Sequence, residues 1–206
     1  MNITVNEELR IYIDPLTPEE HDALERSILA EGCRDALVLW GDMLVDGHNR
    51  YGICRKHGIP FQTVQNPRFQ SIEDVHLWMI DQHLGRRSVS DFQRGVLALR
   101  KKDILAARVQ AAQVAQAAQE AADAATVPAQ VLPADPLNSR EAIARAARIS
   151  STTVSQIEKI QKTAAPELVA AVKAGEVSIN AAAAVASLPV EEQVAAVAGG
   201  KKQLQQ

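Results

Sequence analysis

The densest chemistry in the chain lies in Asp46-Gly47-His48-Asn49-Arg50-Tyr51, a run that interrupts an apolar stretch and opens a helical one. Glycine lets backbone approach a ligand closely. A helix start offers unpaired N–H groups at the positive end of its dipole. Asn49 and Arg50 add side-chain donors, and the arginine fork matches phosphate oxygens. Gly47, His48, Asn49 and Arg50 are therefore an expected phosphate cradle. The same residues also fit a structural use, in which Asp46 caps the helix and Arg50 forms a surface ion pair. His48 and Asp46 are weak candidates for general base and companion. A histidine in a turn more often only hydrogen-bonds. No second histidine stands at ligand spacing, so no metal site is expected.

A second basic element, Gly85-Arg86-Arg87-Ser88-Val89-Ser90, sets Arg86 and Arg87 just before a capped helix. Placed beside the first turn, it would grip one polyphosphate from the other side. Otherwise it is a solvated charge run or a DNA-backbone contact, and each use is electrostatic.

The third constellation is Arg140 to Lys159, REAIARAARISSTTVSQIEK, which has helix-turn-helix spacing. Ile143 and Ala144 sit on the first helix, where a small residue lets the second helix approach. Ile149 follows the turn and plugs the core. Val154 and Ile157 form the buried face of the second helix, and Ser150 or Ser151 caps it. Ser151, Thr152, Ser155, Gln156 and Lys159 are left facing outward, able to reach base edges and phosphates in a major groove. Arg148 stands where glycine commonly makes the turn; either it costs roughly 1 kcal/mol of left-handed strain, or the turn is built differently. An ordinary helical hairpin with polar outer faces is the alternative.

The elements that must hold these groups follow from pattern. Leu9 to Ile13 alternates like a strand. Thr17-Pro18-Glu19-Glu20 starts a helix with a capping box and an N1 proline; Leu24 and Ile28 stripe it, and Gly32 stops it. Ala36 to Trp40 and Met43 to Val45 read as a hairpin about Gly41-Asp42. Asn49 to His57 is helical with Tyr51, Ile53 and Cys54 inward, and Gly58 ends it. Phe61 to Val64 is a short strand. Ser71 caps a helix carrying Val75, Trp78 and Met79. Ser90-Asp91-Phe92-Gln93 caps another that runs through Leu97 and Ile104. Residues 106–125 are an alanine-glutamine tract, helical by propensity but poor in groups to bury. Pro128, Pro133 and Pro136 mark residues 126–137 as a linker. Asn138-Ser139-Arg140-Glu141 gives an N-cap with glutamate at N3, and helices starting at Pro166, Ser178 and Pro189 complete the chain.

Together these elements resemble the ParB partition-protein family. LTPEEHDALERSILAEGCRDALVLWGDMLVDGHNRYGICRKHGI is similar to its N-terminal domain, part of a superfamily shared with sulfiredoxin. DQHLGRRSVSDFQR resembles its second phosphate motif, and the helix-turn-helix follows in family order. Where ParB turns carry Gly-Glu-Arg-Arg, this chain reads Gly47-His48-Asn49-Arg50. The sulfiredoxin cysteine is missing from that turn. The nearest likeness is to divergent ParB-like proteins of plasmids, phages and integrative elements. The resemblance implies an α+β chain, with a small ParB/sulfiredoxin-like domain at 1–85 and a basic helix plus tract at 86–125. A linker at 126–137, an all-α helix-turn-helix domain at 138–200 and a disordered tail at 201–206 complete it. It further implies double-stranded DNA, a homodimer and a partition ATPase as partners, and CTP with Mg as cofactor. A ParB-like nuclease or nucleotide hydrolase and a simple transcriptional repressor are the competing functions.

Bulk numbers bound these readings. The 206 residues carry a net charge of −3, with 47% hydrophobic, 23% charged and only 3% aromatic side chains. That acidity argues against nucleic acid only if charge is uniform. Here Arg86, Arg87, Arg94, Arg100, Lys101 and Lys102 cluster. Cys33 and Cys54 form no CxxC pair and are expected to be free thiols. No apolar run suits a membrane, and Met1 to Arg10 lacks a signal-peptide layout, so the expected location is cytoplasmic, on nucleoid or plasmid.

Overall fold

The computed structural model describes residues 2–86, 89–122 and 137–199, and side chains of the last turn before 122 are outside that description. It divides into two units, Met1–Gln82 and His83–Gln206.

In the first unit the order is α1 (Glu7–Tyr12), α2 (Pro18–Glu31), β1 (Leu37–Trp40), β2 (Met43–Asp46), α3 (His48–His57), β3 (Thr63–Gln65) and α4 (Ile72–Leu84), whose last residues cross the unit boundary. The sheet has order β2-β1-β3. β1 and β2 form an antiparallel hairpin with an irregularity between Val38 and Leu39, and β3 joins β1 in parallel. Leu37, Leu39 and Leu44 are fully buried between sheet and helices.

The strand expected at Leu9 to Ile13 is instead helix α1. Asn6 caps it, accepting from the N–H of Glu8 at 2.8 Å and of Leu9 at 3.4 Å. Glu7 and Glu8 lie at the positive end of its dipole. The apparent alternation misleads because Ile11 is 72% exposed. Leu9, Tyr12 and Ile13 are the residues that pack, at the helical spacing of three and four.

Elsewhere the caps act as expected. Thr17 and Glu20 close a reciprocal capping box at α2. Glu25 on α2 accepts from Lys56 Nζ at 2.7 Å and lies 2.5 Å from His57 Nε2, tying α2 to α3. The hydrogen bond from Lys56, then that from His57, holds the Glu25 carboxyl down at about 2. Cys33 and Cys54 are free and share one apolar cluster; burial, then the Cys33 thiol, pushes the Cys54 thiol up to about 11.

The second unit is helical: α5 (Asp91–Ala122), α6 (Arg140–Ala147), α7 (Ser151–Thr163), α8 (Pro166–Lys173), α9 (Ile179–Val185) and α10 (Val190–Ala198). Ser90 and Gln93 exchange hydrogen bonds at the start of α5. α5 packs on both α6 and α7, and α9 packs on α7. Phe92 and Leu99 of α5 share one core with Ile143, Ala147, Val154, Ile157 and Ile160. Beyond Leu105 no described residue of α5 joins that core, and Val114 is 65% exposed. Of the expected linker at 126–137, only Leu137 is described, and it is buried in the core; the expected tail at 201–206 lies outside the described residues.

Gly95 explains how closely α5 approaches α7. A Cβ added there would lie 2.3 Å from Ile157 Cδ1 and 3.2 Å from Ile149 Cδ1. Ile157 is fully buried, so it has little room to withdraw. Gly95→Ala is expected to destabilise the second unit by about 1–3 kcal/mol despite the better helix propensity of alanine. Urea unfolding checks this, and a variant as stable as the parent would show that the two helices are free to part.

Candidate nucleic-acid interface and anion-binding turn

The segment expected to be a helix-turn-helix folds as α6, a tight turn and α7. Ser139 caps α6, accepting from Ala142 N–H at 3.2 Å. Ala144 is 5% exposed, small enough for α6 and α7 to meet. The chain then reverses through Arg148, at φ 56 and ψ 42, the one non-glycine residue with positive φ among those described. Of the two alternatives the sequence leaves open, the turn is the left-handed one, made without glycine. Ile149 N–H returns to Ala144 O at 3.0 Å, and the Ile149 side chain packs partly buried against the core. Ser150 is the cap of α7 and accepts from Thr153 N–H at 3.0 Å.

Val154 and Ile157 are fully buried. Thr152 and Lys159 are exposed, whereas Ser151, Ser155 and Gln156 are half-buried. The Ser155 hydroxyl donates to Ser151 O at 3.2 Å. Gln156 Nε2 donates to Asn180 Oδ1 at 2.9 Å, and Lys159 Nζ donates to Ser187 Oγ. The polar face of α7 is thus shared with α9 and the turn after it, since Asn180 and Ser187 are themselves exposed. Sequence pattern missed both residues. Ser178, whose side chain caps α9 by accepting from Ala181 N–H at 3.2 Å, marks where that helix starts but says nothing of what it touches.

α9 is held in place by Gln193 of α10, which is 1% exposed. Its Oε1 accepts from Ala165 N–H at 2.7 Å. Its Nε2 donates to Thr163 O at 3.1 Å and to Leu188 O at 2.8 Å. One carboxamide therefore joins the end of α7, the start of α8 and the turn after α9. No sequence signal identified it, because a glutamine in a helix reads as a surface residue.

In the first unit, Gly47 is the N-cap of α3, at φ 96 in the left-handed region, and no side chain caps this helix. A Cβ at Gly47 would lie 2.5 Å from Leu37 Cδ2 and 3.1 Å from Arg50 Nη2, so the position has room only for glycine. The first turn carries no acidic residue, and Asn49 is exposed. This leaves backbone donors and a dipole end suited to an anion. Asp46 does not cap α3; it accepts from Arg50 Nη2 at 2.8 Å. Arg50 Nη1 lies 3.3 Å from Asp35 Oδ2. The guanidinium, 20% exposed, is thus held between two carboxylates, and its buried Nε has no hydrogen-bond partner among the described residues. A phosphate arriving here meets a cation already in use.

His48 Nε2 is likewise buried without a partner among the described residues. Burial lowers the His48 pKa, aided by Arg10 and opposed by Asp46, Glu7 and a hydrogen bond to the Leu44 backbone. Burial thus favours the neutral ring over the charged one. Arg86 is exposed, and its N–H bonds His83 O at 3.0 Å. It belongs to the second unit, and Arg87 lies outside the described residues. Metal-ligand atoms gather elsewhere, at His21, Asp22 and Glu25, within 4.8 Å of one another; Glu25 is already engaged by Lys56 and His57.

Gln193→Leu tests the α9 anchor. It keeps the volume but leaves buried Ala165 N–H and the carbonyls it served without a side-chain partner, at an expected cost of about 2–3 kcal/mol. Chemical denaturation reads the loss; a difference below about 0.5 kcal/mol would mean that other groups hold α9.

By sequence, no family model and no curated protein matches the chain. Solved structures do match it. The C2221 form of a pNOB8-like ParB N-domain aligns with a TM-score of 0.56 and 14% identity, over 90% of this chain and 76% of that one. A second pNOB8-like ParB N-domain structure gives 0.56 and 16%, over 90% and 71%. A C-terminally truncated chromosome-partitioning ParB from Caulobacter crescentus, complexed to the centromeric parS site, aligns over 98% of this chain and 88% of that one, at 14% identity and a TM-score of 0.46. The fold of this chain is ParB-like, an α+β architecture shared with the pNOB8-like N-domains.

Proposed function

We propose that the chain is a sequence-specific DNA-binding protein of the ParB type, which reads duplex DNA with α7 in the major groove and α9 beside it. One observation carries this reading: a set of polar groups, Thr152, Gln156 and Lys159 of α7 with Asn180 of α9 and Ser187 just beyond it, lies over the hydrophobic core of the second unit. Such a set offers both donors and acceptors to base edges. Lys159 supplies a cation for a phosphate, and the N-terminus of α7 supplies a dipole end. The proposal extends to a part in segregating a plasmid or other mobile element, as a homodimer working with a partition ATPase on the nucleoid; its support is likeness of fold, which does not by itself imply function. No described helix is long and apolar enough to cross a membrane.

Fluorescence anisotropy with a labelled duplex tests the reading. Affinity is expected to fall steeply between about 50 and 200 mM salt. Lys159→Ala should weaken all sequences alike and reduce the salt slope by about 1, whereas Gln156→Ala should relax sequence preference. Absence of binding at low salt would overturn the proposal.

A second element of the reading is a nucleoside triphosphate, CTP with Mg, at the start of α3. Its support is the uncapped first turn behind Gly47. Asp35 and Asp46 compete with phosphate for Arg50. Calorimetry should therefore show CTP binding that Arg50→Ala weakens and Asp35→Asn strengthens. A chain that takes up no nucleoside triphosphate lacks this cofactor and keeps its DNA-binding role, as a simple repressor would. Nuclease or hydrolase chemistry through His48 predicts turnover that His48→Ala removes.

A further inference from the structure

Both cysteines of the chain lie in the first unit. Cys33 directly follows the glycine that ends α2, and Cys54 is on the buried side of α3. The fold brings them into one apolar cluster with Ile28 and Ile53, where the two thiols share a hydrogen bond. Cys33 Sγ already donates to Asp35 O at 3.5 Å, and a thiol has one proton to give. The shared proton is therefore that of Cys54, and Cys33 receives it. The S–H groups form a short relay, from Cys54 to Cys33 to the Asp35 carbonyl.

The two sulfurs are not equivalent. Cys33 is half-buried and Cys54 is buried. Burial, then the neighbouring thiol, pushes Cys54 up to about 11, so it stays protonated and screened from dissolved oxidants. Cys33 is the sulfur that solvent reaches, and Cys54 stands behind it. An accessible sulfur backed by a second one is the arrangement that turns oxidation into a disulfide. Bonds other than their own keep the pair together: Glu25 of α2 accepts from Lys56 of α3.

We propose that Cys33 and Cys54 are a reversible thiol–disulfide pair, in which Cys33 reacts with a peroxide and Cys54 closes the disulfide. Cys33 Sγ, as thiolate, attacks one peroxide oxygen. The O–O bond breaks, the other oxygen leaves as water or an alcohol, and Cys33 becomes a sulfenic acid. Cys54 sulfur then attacks Cys33 sulfur. The S–S bond forms, the S–O bond breaks, and the leaving hydroxide takes the Cys54 proton as water. The two thiols give up two electrons and two protons, and the peroxide is reduced. The ring so closed runs through β1, β2 and the Gly47 turn. It also withdraws the proton that Cys33 gives to Asp35, whose carboxylate faces Arg50. The pair thus adjoins the anion-binding turn, yet its chemistry needs no ligand there.

The test is oxidation of the full chain by hydrogen peroxide, native and in urea, followed by intact mass and by a thiol count on the quenched, denatured product. The native monomer is expected to lose both thiols and two hydrogens, to regain them with dithiothreitol, and to react at least about tenfold faster than the unfolded chain, as sulfurs held together by the fold should. Cys54→Ser should stop at a sulfenic acid on Cys33 that dimedone traps, and Cys33→Ser should keep its Cys54 thiol. Oxygen added at Cys33 of the parent while Cys54 stays free would overturn the pair, as would disulfide-linked dimers as the main product. Rapid oxidation of Cys54 in Cys33→Ser would overturn the assigned order. Should either variant fail to fold, the parent decides: disulfide formation no faster in the native chain than in urea sinks the proposal.

Discussion

One buried carboxamide decides whether the second unit has a composite surface at all. Gln193 is surrounded by core and satisfies backbone groups from three separate segments. A buried polar group is costly when unpaired and specific when paired, because only one arrangement of its surroundings satisfies it. That arrangement sets the turn after α9 against the end of α7. The apolar groups of α9 are mostly alanine and valine, with Ala182 and Ala183 buried. Such small side chains slide past one another at little cost and could not fix the register of α9 without a directional bond.

Much of the architecture was legible in local chemistry. The capping boxes at Thr17 and Ser90, the hairpin about Gly41, the glycine that opens α3 and the apolar spacing of α6 and α7 each act through neighbours a few residues away. Such signals survive in a single sequence. The expected strand at Leu9 failed for the same local reason. Asn6 is a strong helix cap, and it outweighs an alternation that happened to place Ile11 on the outside. Other features were illegible because they depend on distance in space. Gly95 reads as a weak point in a helix until Ile157 is set against it. Gln156 reads as an open surface residue, and its partner Asn180 is 24 residues away in sequence. The same holds for Arg50, whose fork is taken by Asp46 and Asp35, so that residue type alone overstated how ready it is for phosphate.

The two candidate sites differ in what they ask of a ligand. At the turn before α3, a ligand must compete with carboxylates that already neutralise the arginine, and it gains mainly from backbone donors. On α7 and α9 the side chains are pre-arranged by one another, so a ligand finds part of the ordering already complete. The first kind of site responds to small changes in nearby charge, and the second to small changes in shape.

Ser155 shows how far such pre-arrangement reaches into a single atom. Its only proton is spent on the carbonyl of Ser151, one turn back. What the hydroxyl shows to the outside is then lone pairs alone. A group that donates, such as an amino group, can approach it, while an oxyanion cannot. A side chain that looks ambidextrous by its type is, by its place in the helix, an acceptor alone.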